Sequence, residues 1–123
     1  MLVLIIDDSR AMRAILRTTL KQLGFETVEA ANGQEGLERV SDRGPFDLAL
    51  VDWNMPVMNG LEFVTAIRAD PSKAGMRIMM VTTEVEMCQV ARALSAGADE
   101  YVMKPFTSEI LHDKLSMLGL CTA

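Results

Sequence analysis

Three short runs in this chain are apolar at every position: Leu2-Val3-Leu4-Ile5-Ile6, Leu48-Ala49-Leu50-Val51 and Ile78-Met79-Met80-Val81. A strand with one face in water alternates apolar and polar residues, so strands apolar at successive positions need cover on both faces. The segments between them supply that cover. Ala11, Ile15, Leu16, Leu20 and Leu23 recur at helical spacing and stop at Gly24. A more polar strand, Glu26–Ala30, is centred on Val28, and Asn32-Gly33 precedes a helix carrying Leu37 and Val40. Gly44-Pro45 breaks the chain before the third strand; Leu61, Phe63, Val64 and Ile67 mark a helix ending near Pro71. Val90, Ala91 and Leu94 mark a helix stopped at Gly97, Tyr101-Val102-Met103 reads as a short strand, and Ile110, Leu111, Leu115 and Leu118 form a last helix.

Strand and helix thus alternate through five units, which predicts an α/β fold with a doubly wound, five-stranded parallel sheet. Right-handed crossovers in so small a sheet favour the flavodoxin-like order 2-1-3-4-5. The chain of 123 residues suits one domain spanning 1–123, with no linker and no output domain expected.

In such a sheet all strand carboxyl ends share one edge, where ligands bind. The first strand is followed by Asp7-Asp8, the third by Asp52, the fourth by Thr82-Thr83 and the fifth by Lys104-Pro105. Each residue has an ordinary reading alone: an aspartate as cap or turn former, Thr82 as a strand residue, Lys104 as a solvated charge. Convergence on one edge weakens those readings. Carboxylates crowded together repel unless a cation lies among them or one is protonated. Oxygen donors without nearby His or Cys point to a hard cation, Mg²⁺ before Zn²⁺. A carboxylate beside Mg²⁺ and an ammonium is a competent nucleophile toward phosphorus, because phosphoryl transfer needs mainly positioning and charge stabilisation.

Composition narrows the classes. A net charge of −5 with scattered basic residues argues against a nucleic-acid surface. The apolar start, six residues before Asp7, is too short for a signal peptide or membrane span, so a cytoplasmic protein is expected. Cys88 and Cys121 lack metal spacing and read as free thiols. Of the ten methionines, Met79, Met80 and Met103 fall in strand-like runs and are expected to fill the core.

The stretches Ile6-Asp7-Asp8-Ser9, Val51-Asp52-Trp53-Asn54-Met55-Pro56, Met80-Val81-Thr82, and Ala96-Gly97-Ala98 through Tyr101-Val102-Met103-Lys104-Pro105-Phe106 resemble response-regulator receiver domains. The likeness covers essentially the whole chain in order, and its wording is similar to the single-domain chemotaxis type. The resemblance implies that Asp52 is the phosphoacceptor, that Asp8 and the backbone carbonyl of Asn54 join it as Mg²⁺ ligands, and that Asp7 reaches the metal through water. It implies a switch pair, Thr82 and Tyr101, an ammonium at Lys104 facing the phosphoryl group, and a cis bond between Lys104 and Pro105. Asn54 and Glu84 would tune autodephosphorylation. Val90, Tyr101 and Lys114 match positions that chemotaxis receivers turn toward the flagellar motor switch. Glu86 and Met87 stand where those relatives carry lysines, leaving less positive charge for an acidic partner. Asn59 replaces a frequent Asp outside the pocket, and Asn59-Gly60 is a turn signal expected to ease the loop after Asp52.

The implied protein is a monomeric phosphorelay switch, not an enzyme, that takes a phosphoryl group from a histidine kinase and controls a downstream target. A phosphate sink or an adaptor outside chemotaxis also fits the residues, whereas the five intact pocket residues speak against a degenerate receiver serving only as a docking scaffold. A phosphohydrolase of the haloacid-dehalogenase class needs an acid two residues after its nucleophile, where this chain has Asn54. A nucleotide-binding module needs a glycine-rich loop after the first strand, and none is there.

Overall fold

The computed structural model describes residues 1–53, 55–83, 89–104 and 106–120. Its elements are β1 (Leu2–Ile6), α1 (Arg10–Gln22), β2 (Glu26–Ala30), α2 (Gly33–Arg43), β3 (Leu48–Asp52), α3 (Gly60–Arg68), a 3-10 turn (Pro71–Lys73), β4 (Arg77–Thr82), α4 (Val90–Ala96), β5 (Glu100–Met103) and α5 (Ser108–Met117). The sheet runs β2-β1-β3-β4-β5, every pair parallel. This is the doubly wound order expected from the sequence.

The runs that are apolar at every position divide by parity between two cores. Leu4, Ile6, Ala49, Val51, Ile78 and Met80 face α3 and α4 through Phe63, Val64, Ile67 and Ala93, with Leu37 and Val40 of α2 packed alongside. Val3, Ile5, Leu48, Leu50, Met79 and Val81 face α1 and α5 through Leu16, Leu20, Leu111 and Leu115. Period-two alternation on a strand therefore sends neighbouring residues into opposite layers. The helices start on side-chain caps: Ser9 accepts from the Met12 N–H, Asn32 from Glu35, Asn59 from Glu62 and Thr107 from Ile110. Gly97 ends α4 at φ 122°, a conformation open to glycine and costly for other residues.

Several expectations need correction. β3 extends to Asp52, β4 spans Arg77–Thr82, and β5 starts at Glu100, because ladder pairing to neighbouring strands carries polar residues along with the apolar run. Met79 and Met80 are buried, but Met103 is 42% exposed: β5 lies at the sheet edge, where one face is only partly covered. Ile15, although in register with the α1 stripe, is 57% exposed because Leu16 and Leu20 already fill the contact with the sheet. Asn59-Gly60 is a helix start, not a turn: Asn59 and Glu62 form a reciprocal capping box. Cys88, Cys121, Glu86 and Met87 lie outside the described residues. No described helix is long and apolar enough to cross a membrane.

Candidate functional site

Parallel strands end together, and the register decides which ends meet. Ile6 pairs with Val51, so Asp7 and Asp52 leave adjacent strands side by side. Asp52 pairs with Val81, and Thr82 pairs with Met103, so Thr82 and Lys104 follow on at the same edge. The Lys104 N–H donates to the Thr82 carbonyl at 2.6 Å, which ties the end of β5 to β4. Asp7 is 1% exposed, Asp52 7% and Thr82 1%, whereas Asp8 is exposed. One carboxylate oxygen from each of Asp7, Asp8 and Asp52 lies within 4.8 Å of the others.

Lys104 reaches into this group: its Nζ donates to Asp7 Oδ2 at 3.3 Å and to Asp52 Oδ1 at 3.5 Å. The other Asp7 oxygen, Oδ1, accepts the Ser9 N–H at 2.8 Å. Asp7 is thus engaged on both oxygens by the protein, and Asp8 and Asp52 are the freer donors. Burial, then the neighbouring Asp7 charge, push the Asp52 carboxyl up to about 6, with Lys104 pulling the other way. Burial works against the Lys104 charge, but the Asp52 and Asp7 carboxylates outweigh it and raise its pKa above the usual lysine value. Three acids against one ammonium leave an excess of negative charge, and an all-oxygen donor set of this kind fits a hard divalent cation such as Mg²⁺.

The loop after Asp52 is held by a close approach. The Gly60 N–H donates to the Trp53 carbonyl at 3.0 Å, and a Cβ on Gly60 would stand 2.6 Å from the Asp52 carbonyl oxygen. Glycine is therefore required by contact, not by its dihedral freedom. Val57, exposed and β-branched, absorbs the bend at φ 70°. Trp53 is buried beside the acceptor.

Asp7, Asp8, Asp52, Lys104 and Thr82 are brought to one edge. Tyr101 is two residues down β5, opposite Met80, and shares the sheet face of Thr82. Its half-buried ring lies against the core, with Lys114 Nζ 4.5 Å from the ring centroid. Lys114 also pairs with Glu100 at 3.2 Å, and Glu100 Oε1 accepts the Tyr101 N–H at 2.9 Å. Val90 is 8% exposed, so of the three surface candidates only Tyr101 and Lys114 offer side-chain area. Asn54, Glu84 and the Lys104–Pro105 bond lie outside the described residues; Gly44–Pro45 is a cis peptide among those described. Among the described residues the Thr82 hydroxyl donates only a long bond, 3.3 Å, to the Thr83 carbonyl.

Sequence reasoning passed over three contributors. Ser9 both caps α1 and orients Asp7, and its signal was the N-cap spacing to Met12. Arg13 donates through Nη1 to the Asp7 carbonyl, and Glu100 bridges Tyr101 and Lys114; neither has a local signature.

Comparison with known proteins agrees with this geometry. The Response_reg family, the response regulator receiver domain, matches residues 3–116. The chain is 42% identical over 119 residues to the chemotaxis protein CheY1 of Helicobacter pylori J99, covering 96% of each. It is 43% identical over 116 residues to a chemotaxis protein CheY homolog of Campylobacter jejuni, covering 94% of this chain and 89% of that one. Among solved structures, the chemotaxis response regulator CheY4 of Vibrio cholerae superposes with a TM-score of 0.86 at 36% identity, covering 95% of this chain and 97% of that one. The chain belongs to the response regulator receiver domains, and within them to the CheY type.

Proposed function

We propose that this protein is a phosphorelay switch that accepts a phosphoryl group on Asp52, with Mg²⁺ required. The observation that carries the reading is the convergence of Asp7, Asp8, Asp52 and Lys104 at one strand edge, with the Asp52 carboxyl pushed up to about 6 by burial and by Asp7. Such a cluster is out of electrostatic balance until a cation arrives. Asp8, Asp52 and the Asn54 carbonyl would hold Mg²⁺, with Asp7 engaged through water. When bound, the ion neutralises the charge on the transferring phosphoryl oxygens.

The chain's own residues do the rest. An Asp52 carboxylate oxygen attacks phosphorus; an O–P bond forms while the N–P bond of a phosphohistidine breaks and the imidazole leaves with a proton. Lys104, 3.5 Å from Asp52 Oδ1, would face a phosphoryl oxygen, and the Thr82 hydroxyl, with a long bond to the Thr83 carbonyl to give up, can turn to another. The space Thr82 vacates is open to the Tyr101 ring on the same sheet face. The response then reaches the surface of α4, β5 and α5, where Lys114 lies against the Tyr101 ring. Asn54 and Glu84 tune loss of the phosphoryl group to water. Residues 1–123 act as a receiver domain, a cytoplasmic monomer receiving from a histidine kinase and controlling a downstream protein. Its CheY relatives are chemotaxis proteins, which favours chemotaxis and the flagellar motor switch over a phosphate-sink role.

Acetyl phosphate tests the reading directly. Intact mass spectrometry should show one added phosphate with Mg²⁺ and none without it, and none on Asp52→Asn. An adduct of equal yield on Asp52→Asn would overturn the assignment.

A further inference from the structure

We propose that a cavity between α1 and α2, separate from the acidic site, binds a small phosphate-bearing anion through Arg10, Arg17 and Arg39. The cavity measures about 510 Å³ and is lined by Arg10, Arg13 and Arg17 from α1, Arg39 from α2, Glu29 at the end of β2 and Glu35 at the start of α2. That volume lies within the range of small-ligand sites.

Four of the twelve basic residues of an acidic protein meet in this one hollow. Their placement opposes local stability. Arg10 puts a positive charge at the first position of α1, at the positive end of the helix dipole, and the first turn holds no acid to offset it. Arg10, Arg13 and Arg17 follow at helical spacing, so like charges are stacked on one face. Positions that break a local rule this way mark a demand from elsewhere.

The two carboxylates compensate only in part. Glu29 takes Arg13 at 3.3 Å through one oxygen and Arg17 through the other. Arg39 donates through Nε to the Glu29 carbonyl and lies 3.9 Å from Glu35. Arg10 makes no ion pair or hydrogen bond among the described residues. Four guanidiniums against two carboxylates leave two positive charges in excess, the complement of a phosphate monoester dianion. A guanidinium carries five N–H donors in a planar fork that matches phosphate oxygens, and Arg10, Arg17 and Arg39 have donors to spare. A nucleic acid or a long acidic segment would need an extended basic track, and the net charge of −5 opposes it.

The cavity adjoins the acidic site without sharing its donors. Arg13 donates to the Asp7 carbonyl, and the Asp7 N–H donates to Ala30, which also lines the cavity. The proposal does not depend on phosphorylation of Asp52, and its test is arranged to stay independent of it.

The experiment is a titration of the metal-free full chain with inorganic phosphate and with adenosine 5′-monophosphate, at constant ionic strength, read by backbone amide shifts. Saturable shifts are expected along residues 10–17 and 29–39. Arg10→Gln and Arg39→Gln, both at solvent-accessible positions, should each weaken binding about tenfold. Lys21→Gln, on α1 but outside the cavity, and Asp52→Asn should leave binding unchanged. Shifts that never saturate, that chloride reproduces, or that survive both arginine substitutions would overturn the proposal. So would binding of a short poly-glutamate peptide in place of both phosphate probes, which would make the cavity a protein-docking surface.

Discussion

Two charged clusters flank the carboxyl end of β1, carry opposite charge and are built differently. On the β3 side, Asp7, Asp8, Asp52 and Lys104 stand at or just beyond strand ends, with Asp7 and Asp52 buried. On the β2 side, arginines of α1 and α2 converge through long side chains that remain partly exposed. A short aspartate has few rotamers, so the backbone register places its carboxylate within narrow limits. An arginine has many, so its site adapts and its charges are screened by water. The acidic site should therefore fail abruptly when one group is removed, whereas the basic cavity should weaken by degrees.

The largest expected effect tests the abrupt side. Asp52→Asn should abolish phosphorylation by acetyl phosphate, while Arg39→Gln should leave its extent unchanged in intact mass spectra. Loss in both variants would show that the two clusters act as one site and remove the contrast.

Next comes the path outward from the acidic side. Thr82→Ala should still take phosphate but transmit little. A charge-assisted hydrogen bond contributes about 1.5–3 kcal/mol, equivalent to a shift of roughly 10- to 150-fold in a two-state equilibrium. Hydrogen exchange along residues 89–104 with and without beryllofluoride measures it; equal protection changes in variant and wild type would sink the coupling.

Electrostatic strain gives a smaller effect, with a definite pH dependence. In metal-free protein the Asp52 carboxyl is raised from 3.8 to about 6. The folded state thus holds that proton more tightly than the unfolded state, and this contribution to stability is complete below about 3.8 and lost as pH rises through about 6. Asp52→Asn lacks the buried charge and should melt higher than wild type at pH 7.5, by about 1–2 kcal/mol after allowance for solvent screening. The gap should narrow as pH falls below 6, because wild type protonates. Thermal melts across that window decide it, and a pH-independent gap would assign the effect to something other than charge. Mg²⁺ should close the gap from the other direction by stabilising wild type, with Trp53 emission reporting its binding.

The smallest effect lies at the far end of β5. Glu100→Gln removes the Lys114 ion pair at 3.2 Å between partly exposed groups, and should cost less than about 1 kcal/mol of stability. Its value is as a probe: with Glu100 neutral, the Tyr101 ring is the contact left to Lys114 among the described residues, and tyrosine side-chain resonances should shift. Unchanged resonances would show that Lys114 does not sense Tyr101.

Much of this was present in the sequence alone. Runs apolar at every position called for a sheet covered on both faces, alternating segments ordered it, and the residues following each run placed Asp7, Asp8, Asp52, Thr82 and Lys104 on one edge. These inferences work because strand period and helix period are local properties. Folding alone decided what depends on partners distant in the chain. Asp7 is held on one oxygen by Lys104, from the far end of the chain; Gly60 is required by the Asp52 carbonyl; Glu100 joins Tyr101 to Lys114. The arginine cavity draws on α1, β2 and α2, and no single segment announces it. Met103 and Ile15 look like core residues by spacing yet stay exposed, because hydropathy shows that a side chain is apolar and only packing decides whether a neighbour arrives to cover it.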